Sequence, residues 1–214
     1  MGIEMSLTEY ILFAAGSLFM IIDPISLIPV FVSITPDDTP KQREKMARLA
    51  CLVAAGVLIG FTLIGKKLFH LMGITLPAFK IAGSIVLLLI ALDMLRAQRS
   101  RVQQTNEETD AAAAKEDIAI TPLAVPLLAG PGAISTAILL EDRAKGWAQE
   151  VALLACIGAV CAVSYFVLRL SAHGATWISP IAMRIVTRIM GLLLAAVAIQ
   201  FILDAIAEQK GKLF

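Results

Sequence analysis

The chain alternates long apolar runs with short polar ones. Six of the runs are long enough to cross a bilayer as helices: Leu7–Ile34, Ala47–Gly65, Ile74–Leu95, Ile118–Leu140, Val151–Leu170 and Ile185–Ile206. A crossing needs about 20 residues. The runs are continuously apolar, do not alternate, and exceed the length of a strand, which argues for helices. The stretch from Arg96 to Asp117 is the long polar exception and reads as a cytoplasmic linker. Residues 1–95 and 118–214 then form two units of three spans each.

Two of the six runs are interrupted. From Ile118 to Leu140 there are 23 residues without a charge, yet the middle holds Pro122, Pro126, Gly130, Pro131 and Gly132. Proline and glycine break helices. Irregular backbone at membrane depth survives only where protein or a watery cavity satisfies it. The first run carries a similar break at Asp23-Pro24-Ile25-Ser26-Leu27-Ile28-Pro29.

The halves repeat each other. Lys80-Ile81-Ala82-Gly83 aligns with Arg188-Ile189-Met190-Gly191, and Leu95 with Leu203, at an offset of 108. Pro24 and Pro29 match Pro126 and Pro131 at 102, and Cys51 matches Cys156 at 105. Three spans is an odd number, so the second copy inserts upside down. The expected fold is an all-α integral membrane protein, six transmembrane helices in a 3+3 inverted repeat with interrupted first and fourth spans. Such repeats bind solutes near the bilayer midplane, at the broken helices.

Composition agrees. The chain is 58% hydrophobic and 16% charged, with mean hydropathy +0.84. A net charge of +1 gives no electrostatic case for nucleic acid. With the N-terminus outside, eleven Lys and Arg fall on the inner side and seven on the outer. The positive-inside rule therefore puts both termini outside, in the periplasm if the membrane is a bacterial inner membrane. No basic residue precedes Lys41, so the first run is expected to stay as a span. Trp147 and Trp177 fall near span ends, as interface aromatics do. Cys51, Cys156 and Cys161 lie in apolar runs without metal spacing and read as small core residues. His70 and His173 have no partner pattern. No metal, cofactor, nucleophile–base pair or ATP-binding loop is implied, so the chain reads as no enzyme, and pumping would draw on an ion gradient.

The breaks carry the candidate chemistry. Asp23-Pro24 has the grammar of a helix start, an N-cap followed by proline, and Thr121-Pro122 repeats it. Gly130-Pro131-Gly132 offers another start. A helix N-terminus bears about half a positive charge and free N–H donors, a seat for a carboxylate. Asp23 has 13 uncharged residues on either side, and a carboxylate at such depth is a functional candidate. It caps its half-helix, serves a substrate, or does both. The combined reading gives the Gly130–Gly132 amides a substrate carboxylate, and Asp23, Ser26 and the unwound carbonyls its ammonium group. Pro24, Pro29, Thr121, Pro126 and Pro131, at the breaks themselves, complete the candidate substrate-binding set. Ser135 and Thr136 either line the path or bond back to their own helix. Gln200 makes an interhelical hydrogen bond or touches substrate. Lys80 and Arg188 are expected to snorkel to headgroups.

These residues resemble a known family. Asp23-Pro24-Ile25 with Pro29-Val30-Phe31, the block Pro122-Leu123-Ala124-Val125-Pro126-Leu127-Leu128-Ala129-Gly130-Pro131-Gly132-Ala133-Ile134, and Arg188-Ile189-Met190-Gly191 with Gln200-Phe201-Ile202 look like the MarC family. It is also called UPF0056 or the six-span neutral amino acid transporter family. The resemblance runs essentially the whole length. It implies an inner-membrane protein of bacteria or archaea and proton-linked transport of small neutral amino acids such as glycine and alanine. Members often carry Gly-Asn where this chain has Ser26-Leu27, and some carry Asn at the position of Asp23. Three functions stay open on the sequence: that transporter, a channel or exporter for another small solute, and a membrane scaffold. Whether copies assemble into a homo-oligomer is open as well.

Overall fold

The computed structural model describes residues 6–36, 38–96, 119–174 and 180–210. The polar segment from 97 to 117, Ile118 and Trp177 lie outside the described residues. Every regular element among the described residues is helical. In chain order these are α1 (Leu7–Ile22), α2 (Leu27–Ile34), α3 (Pro40–Met72), α4 (Leu76–Leu95), the wide-turned segment Ala119–Leu128, α5 (Pro131–Arg143), α6 (Trp147–Gly174) and α7 (Pro180–Lys210). Helices α3, α4, α6 and α7 are each long and apolar enough to span a membrane alone. The other two candidate spans are bent pairs: α1 with α2 at 42°, and Thr121–Leu128 with α5 at 46°.

Local chemistry sets the helix ends. Ser6 opens α1 and Thr39 opens α3 with reciprocal capping boxes to Glu9 and Gln42. Thr75 caps α4. Gly73 closes α3 in the left-handed conformation that glycine adopts without strain. These caps carry α3 well beyond the Ala47–Gly65 apolar core, to 33 residues.

Packing runs mainly between the two halves. The first bent span lies against α6, and the fourth lies against α3. Helix α2 also touches α7, while α5 and the segment before it touch α4. Helix α3 packs on α6, α4 on α7, and α1 on α5. Helix α5 also touches α6; apart from that contact, exchanging span one for four, two for five and three for six returns the same set of pairs. The glycines matched by the 108-residue offset both sit at close approaches. A Cβ at Gly191 would lie 2.9 Å from the Ala91 carbonyl oxygen, and one at Gly83 would lie 2.8 Å from the Pro131 ring.

Tyr10 is fully buried and donates its hydroxyl to the Leu140 carbonyl at 2.9 Å, tying α1 to α5. Ion pairs also join the halves. Lys66 meets Glu141 and Asp142, Lys80 meets Glu208, and Glu44 takes Arg169 at 2.9 Å and the Tyr165 hydroxyl at 3.2 Å. Lys80, expected to reach headgroups, has a side chain only 12% exposed and paired with Glu208 across the halves. The cysteines are free and buried, as small core residues should be. Outward faces carry Leu12, Met20 and Leu170 at 70%, 81% and 77% exposure. Water penalises such surface at about 25 cal/mol per Å²; acyl chains do not.

Candidate functional site at two helix breaks

At the first break, Asp23 ends α1 in the left-handed region, with φ 42 and ψ 66, and its N–H donates to the Phe19 carbonyl at 2.9 Å. Aspartate tolerates this conformation better than most residues. Pro24–Ser26 then make a turn, and α2 starts at Leu27. The expected helix start at Asp23-Pro24 is thus corrected. Asp23 accepts the Ser26 amide on Oδ1 at 3.3 Å, so its carboxylate caps the turn, and Ser26 occupies the N-cap of α2 without a side-chain bond. The left-handed backbone redirects the chain before a helix can restart. Asp23 and Ser26 are exposed, Pro24 is buried, and Pro29 sits half-buried within α2.

The second break differs. Thr121 (φ −131, ψ 119) and Val125 (φ −129, ψ 122) are extended, each ahead of a proline joined by a cis peptide bond. A residue before proline is pushed out of the helical region. Thr121-Pro122 therefore does not begin a helix, and Thr121 is exposed away from the core. The segment closes in a wide turn, Ala129 N–H to the Ala124 carbonyl at 2.8 Å. Helix α5 begins at Pro131 with Gly130 as N-cap. Gly130 has to be glycine, because a Cβ there would lie 2.5 Å from the Pro126 carbonyl oxygen.

No side chain caps α5, and its start is buried from Gly130 through Ser135. The first intrahelical bond in this turn goes from Ile134 N–H to the Gly130 carbonyl. The amides of Gly132 and Ala133 precede it, at the positive end of the helix dipole.

Ser135 adds a second feature. Six other hydroxyls, in helices or at their ends, bond back to their own backbone: Ser33, Thr35, Thr62, Ser84, Ser164 and Ser171 donate to the carbonyl three or four residues earlier at 2.6–2.8 Å. Ser135 does not. Its Oγ is buried without a hydrogen-bond partner, and the residue is 1% exposed. A helical side chain leans over the turn N-terminal to it. Ser135 stands one turn beyond Pro131 and Gly132 on the same helix. Thr136 is half-buried beside it.

Three other spans close around this start. A Cβ on Gly132 would lie 2.9 Å from Phe201 Cζ on α7 and 3.3 Å from Ile21 Cγ1 at the end of α1. Pro131 meets Gly83 on α4. Ile21 lies in the last turn of α1, so the end of that helix, just before the first break, reaches the start of α5. Gln200 is not an interhelical link: its Nε2 donates to Asp204 on the same helix at 2.8 Å, and it is exposed. The structure thus gathers Gly130, Pro131, Gly132 and Ser135 and keeps Thr121 and the Gln200 amide out of that group. Sequence reasoning missed Ile21 and Phe201. Apolar residues in an apolar span carry no signal of their own, though Phe201 is in the Gln200-Phe201-Ile202 motif.

The family model described as MarC family integral membrane protein matches residues 8–209. The chain belongs to the MarC family. It is 36% identical over 198 residues to UPF0056 membrane protein MJ1677 of Methanocaldococcus jannaschii, covering 92% of this chain and 96% of that protein. It is 34% identical to UPF0056 membrane protein YvbG of Bacillus subtilis, covering 87% and 89%. It is 33% identical to UPF0056 membrane protein YhcE of Escherichia coli, covering 88% of each. No solved structure matches the chain. As a MarC-family integral membrane protein, it has a lipid environment for its apolar helix faces. The second of its two breaks is then irregular backbone enclosed by protein within a membrane protein.

Proposed function

We propose that this MarC-family chain is a secondary transporter of small neutral amino acids, glycine- and alanine-like, driven by an ion gradient such as protons. The carrying observation is the buried, uncapped start of α5 beside the unpartnered Ser135 hydroxyl. The amides of Gly132 and Ala133 receive the substrate carboxylate and Ser135 donates to it. The ammonium group faces the first break, where Asp23, Ser26 and the turn carbonyls offer acceptors. Glycine at 130 and 132 leaves backbone close at hand and room only for a compact solute. Asp23 is the ionisable side chain within the two breaks and the candidate proton carrier.

The reading includes a 3+3 inverted repeat, supported by the exchange of packing partners between halves and by the matched close approaches of Gly83 and Gly191. It also puts the protein in a bacterial or archaeal inner membrane with both termini outside. The membrane-family assignment and the Lys/Arg distribution support this.

The test is uptake of labelled glycine and alanine into vesicles holding only this protein, with and without an inward proton gradient. The reading expects saturable uptake stimulated by the gradient and lost in Gly132→Leu. Uptake that neither saturates nor responds to Gly132→Leu and Ser135→Ala would overturn it.

A further inference from the structure

Resting on that reading, we propose that Phe201 is the gate and size filter of the site, a residue that determines which solutes reach the α5 amides. The argument is geometric. The seat is enclosed, since Gly132, Ala133 and Ser135 are all buried. Something lying on it has to move before any solute arrives. Gly83 is backbone against the Pro131 ring, and neither has a rotatable side chain. The three atoms nearest to a Cβ on Gly132 belong to Phe201 and Ile21, and Phe201 is the nearer, with its ring tip toward the glycine. Ile21 is β-branched and held in the last turn of α1, which restricts its first torsion. Phe201 is half-buried on α7, so it is not packed by protein on every side. A planar ring on two torsions swings aside as a unit and exposes the glycine face beneath it.

The position also explains selectivity. With the ring set against Gly132, the space freed by its swing is about that of the ring edge. A glycine or alanine side chain fits there, and a branched side chain meets the ring. The filter thus acts on the solute's side chain, while the amides and Ser135 hold the carboxylate that all amino acids share. Shortening the ring enlarges the accepted range and keeps the seat intact.

The experiment has two arms, both on the full chain in liposomes, with thermal unfolding recorded for each variant. In the first, Ser135→Cys reports access to the seat through its rate of modification by a small methanethiosulfonate, above the background of the three buried native cysteines. Adding Phe201→Ala is expected to speed modification about tenfold or more, because local opening then displaces no packed ring. Phe201→Trp is expected to slow it. In the second arm, valine and leucine are tested as competitors of labelled glycine uptake. Phe201→Ala is expected to improve their competition relative to alanine by about tenfold, the scale on which apolar pockets discriminate single methylenes. Phe201→Leu is expected to fall between.

If the Ser135→Cys thiol reacts at the same rate with and without Phe201→Ala, in protein that is folded, the gate is overturned. An unaltered competition series in a protein that still takes up glycine would overturn it too, and either result would leave the transporter reading standing. Modification that responds to Phe201 in a protein that moves no amino acid would uphold the gate and overturn the transporter reading instead.

Discussion

The two helix breaks answer the same problem in opposite ways. The first is polar, exposed and internally satisfied: Asp23 turns the chain, accepts the Ser26 amide and leaves its carboxylate accessible. The second is apolar, buried and unsatisfied: α5 starts without a cap, and Ser135 has no partner. The Asp23 carboxylate has a partner in the Ser26 amide. A buried hydroxyl with nothing to bond is costly, by about 1–3 kcal/mol, and calls for an explanation that a bound solute would supply. The comparison shifts weight from the charged residue that dominates the sequence to the neutral ones that follow the second break.

The largest expected effect comes from filling the second break. Gly130→Val puts a side chain against the Pro126 carbonyl at a distance no real Cβ shows. Because the obstruction is backbone, relief requires the wide turn to move. We expect a loss of about 3 kcal/mol or more, among the largest for a single change, read as a collapsed or strongly lowered thermal transition in detergent. Near-native stability there would remove the contrast between the breaks.

Ser135→Ala sharpens it. Removing a buried hydroxyl without a partner should leave the unliganded protein as stable or raise its stability by about 1 kcal/mol. The same change should weaken binding of a substrate carboxylate by about 1.5–3 kcal/mol, the worth of a hydrogen bond to a charged group. A variant at once more stable and less active marks a group kept for function. A variant that is simply less stable would mark a packing residue.

At the first break the effects are smaller and separable. Asp23→Asn keeps an acceptor for Ser26 and tolerates the left-handed backbone, so its stability should stay within about 0.5 kcal/mol of the parent. Asp23→Ala loses both features and should cost about 1 kcal/mol. Proton coupling through Asp23 predicts that Asn abolishes the response of uptake to the gradient while uptake down a concentration gradient persists. The smallest effect belongs to Lys66→Ala. Its ion pairs with Glu141 and Asp142 are exposed, and such pairs contribute at most about 1 kcal/mol, which 1 M salt should largely erase.

Much of this architecture could be read in the residues. Apolar runs gave the helices, and the clustered prolines and glycines gave both interruptions. The Lys80–Gly83 and Arg188–Gly191 pair pointed to two glycines that the structure uses for close approach. The ends of α3 were hidden, because Thr39 and Gly73 extend the helix through polar sequence that hydropathy treats as loop. Asp23 misled because the N-cap preference and the left-handed C-cap tolerance of aspartate belong to one side chain, and the backbone alone decides between them. Phe201 and Ile21 were invisible for a different reason. In a membrane span, lipid-facing and site-facing residues are equally apolar, so no periodicity separates them. Whether Ser135 bonds back to its helix is likewise a matter of geometry, and six hydroxyls in similar positions chose the other outcome.

The most direct measurement is a thermal-stability titration of the purified chain with glycine and alanine, beside Ser135→Ala. A ligand at 100 times its Kd stabilises by about 2.7 kcal/mol, so a seat at α5 predicts a clear, saturating rise in Tm. In Ser135→Ala the curve should move to concentrations at least about tenfold higher, the equivalent of 1.4 kcal/mol, from a starting Tm no lower than the parent's. Superimposable curves for the two proteins, or a flat response in both, would contradict the assignment of this hydroxyl to a substrate.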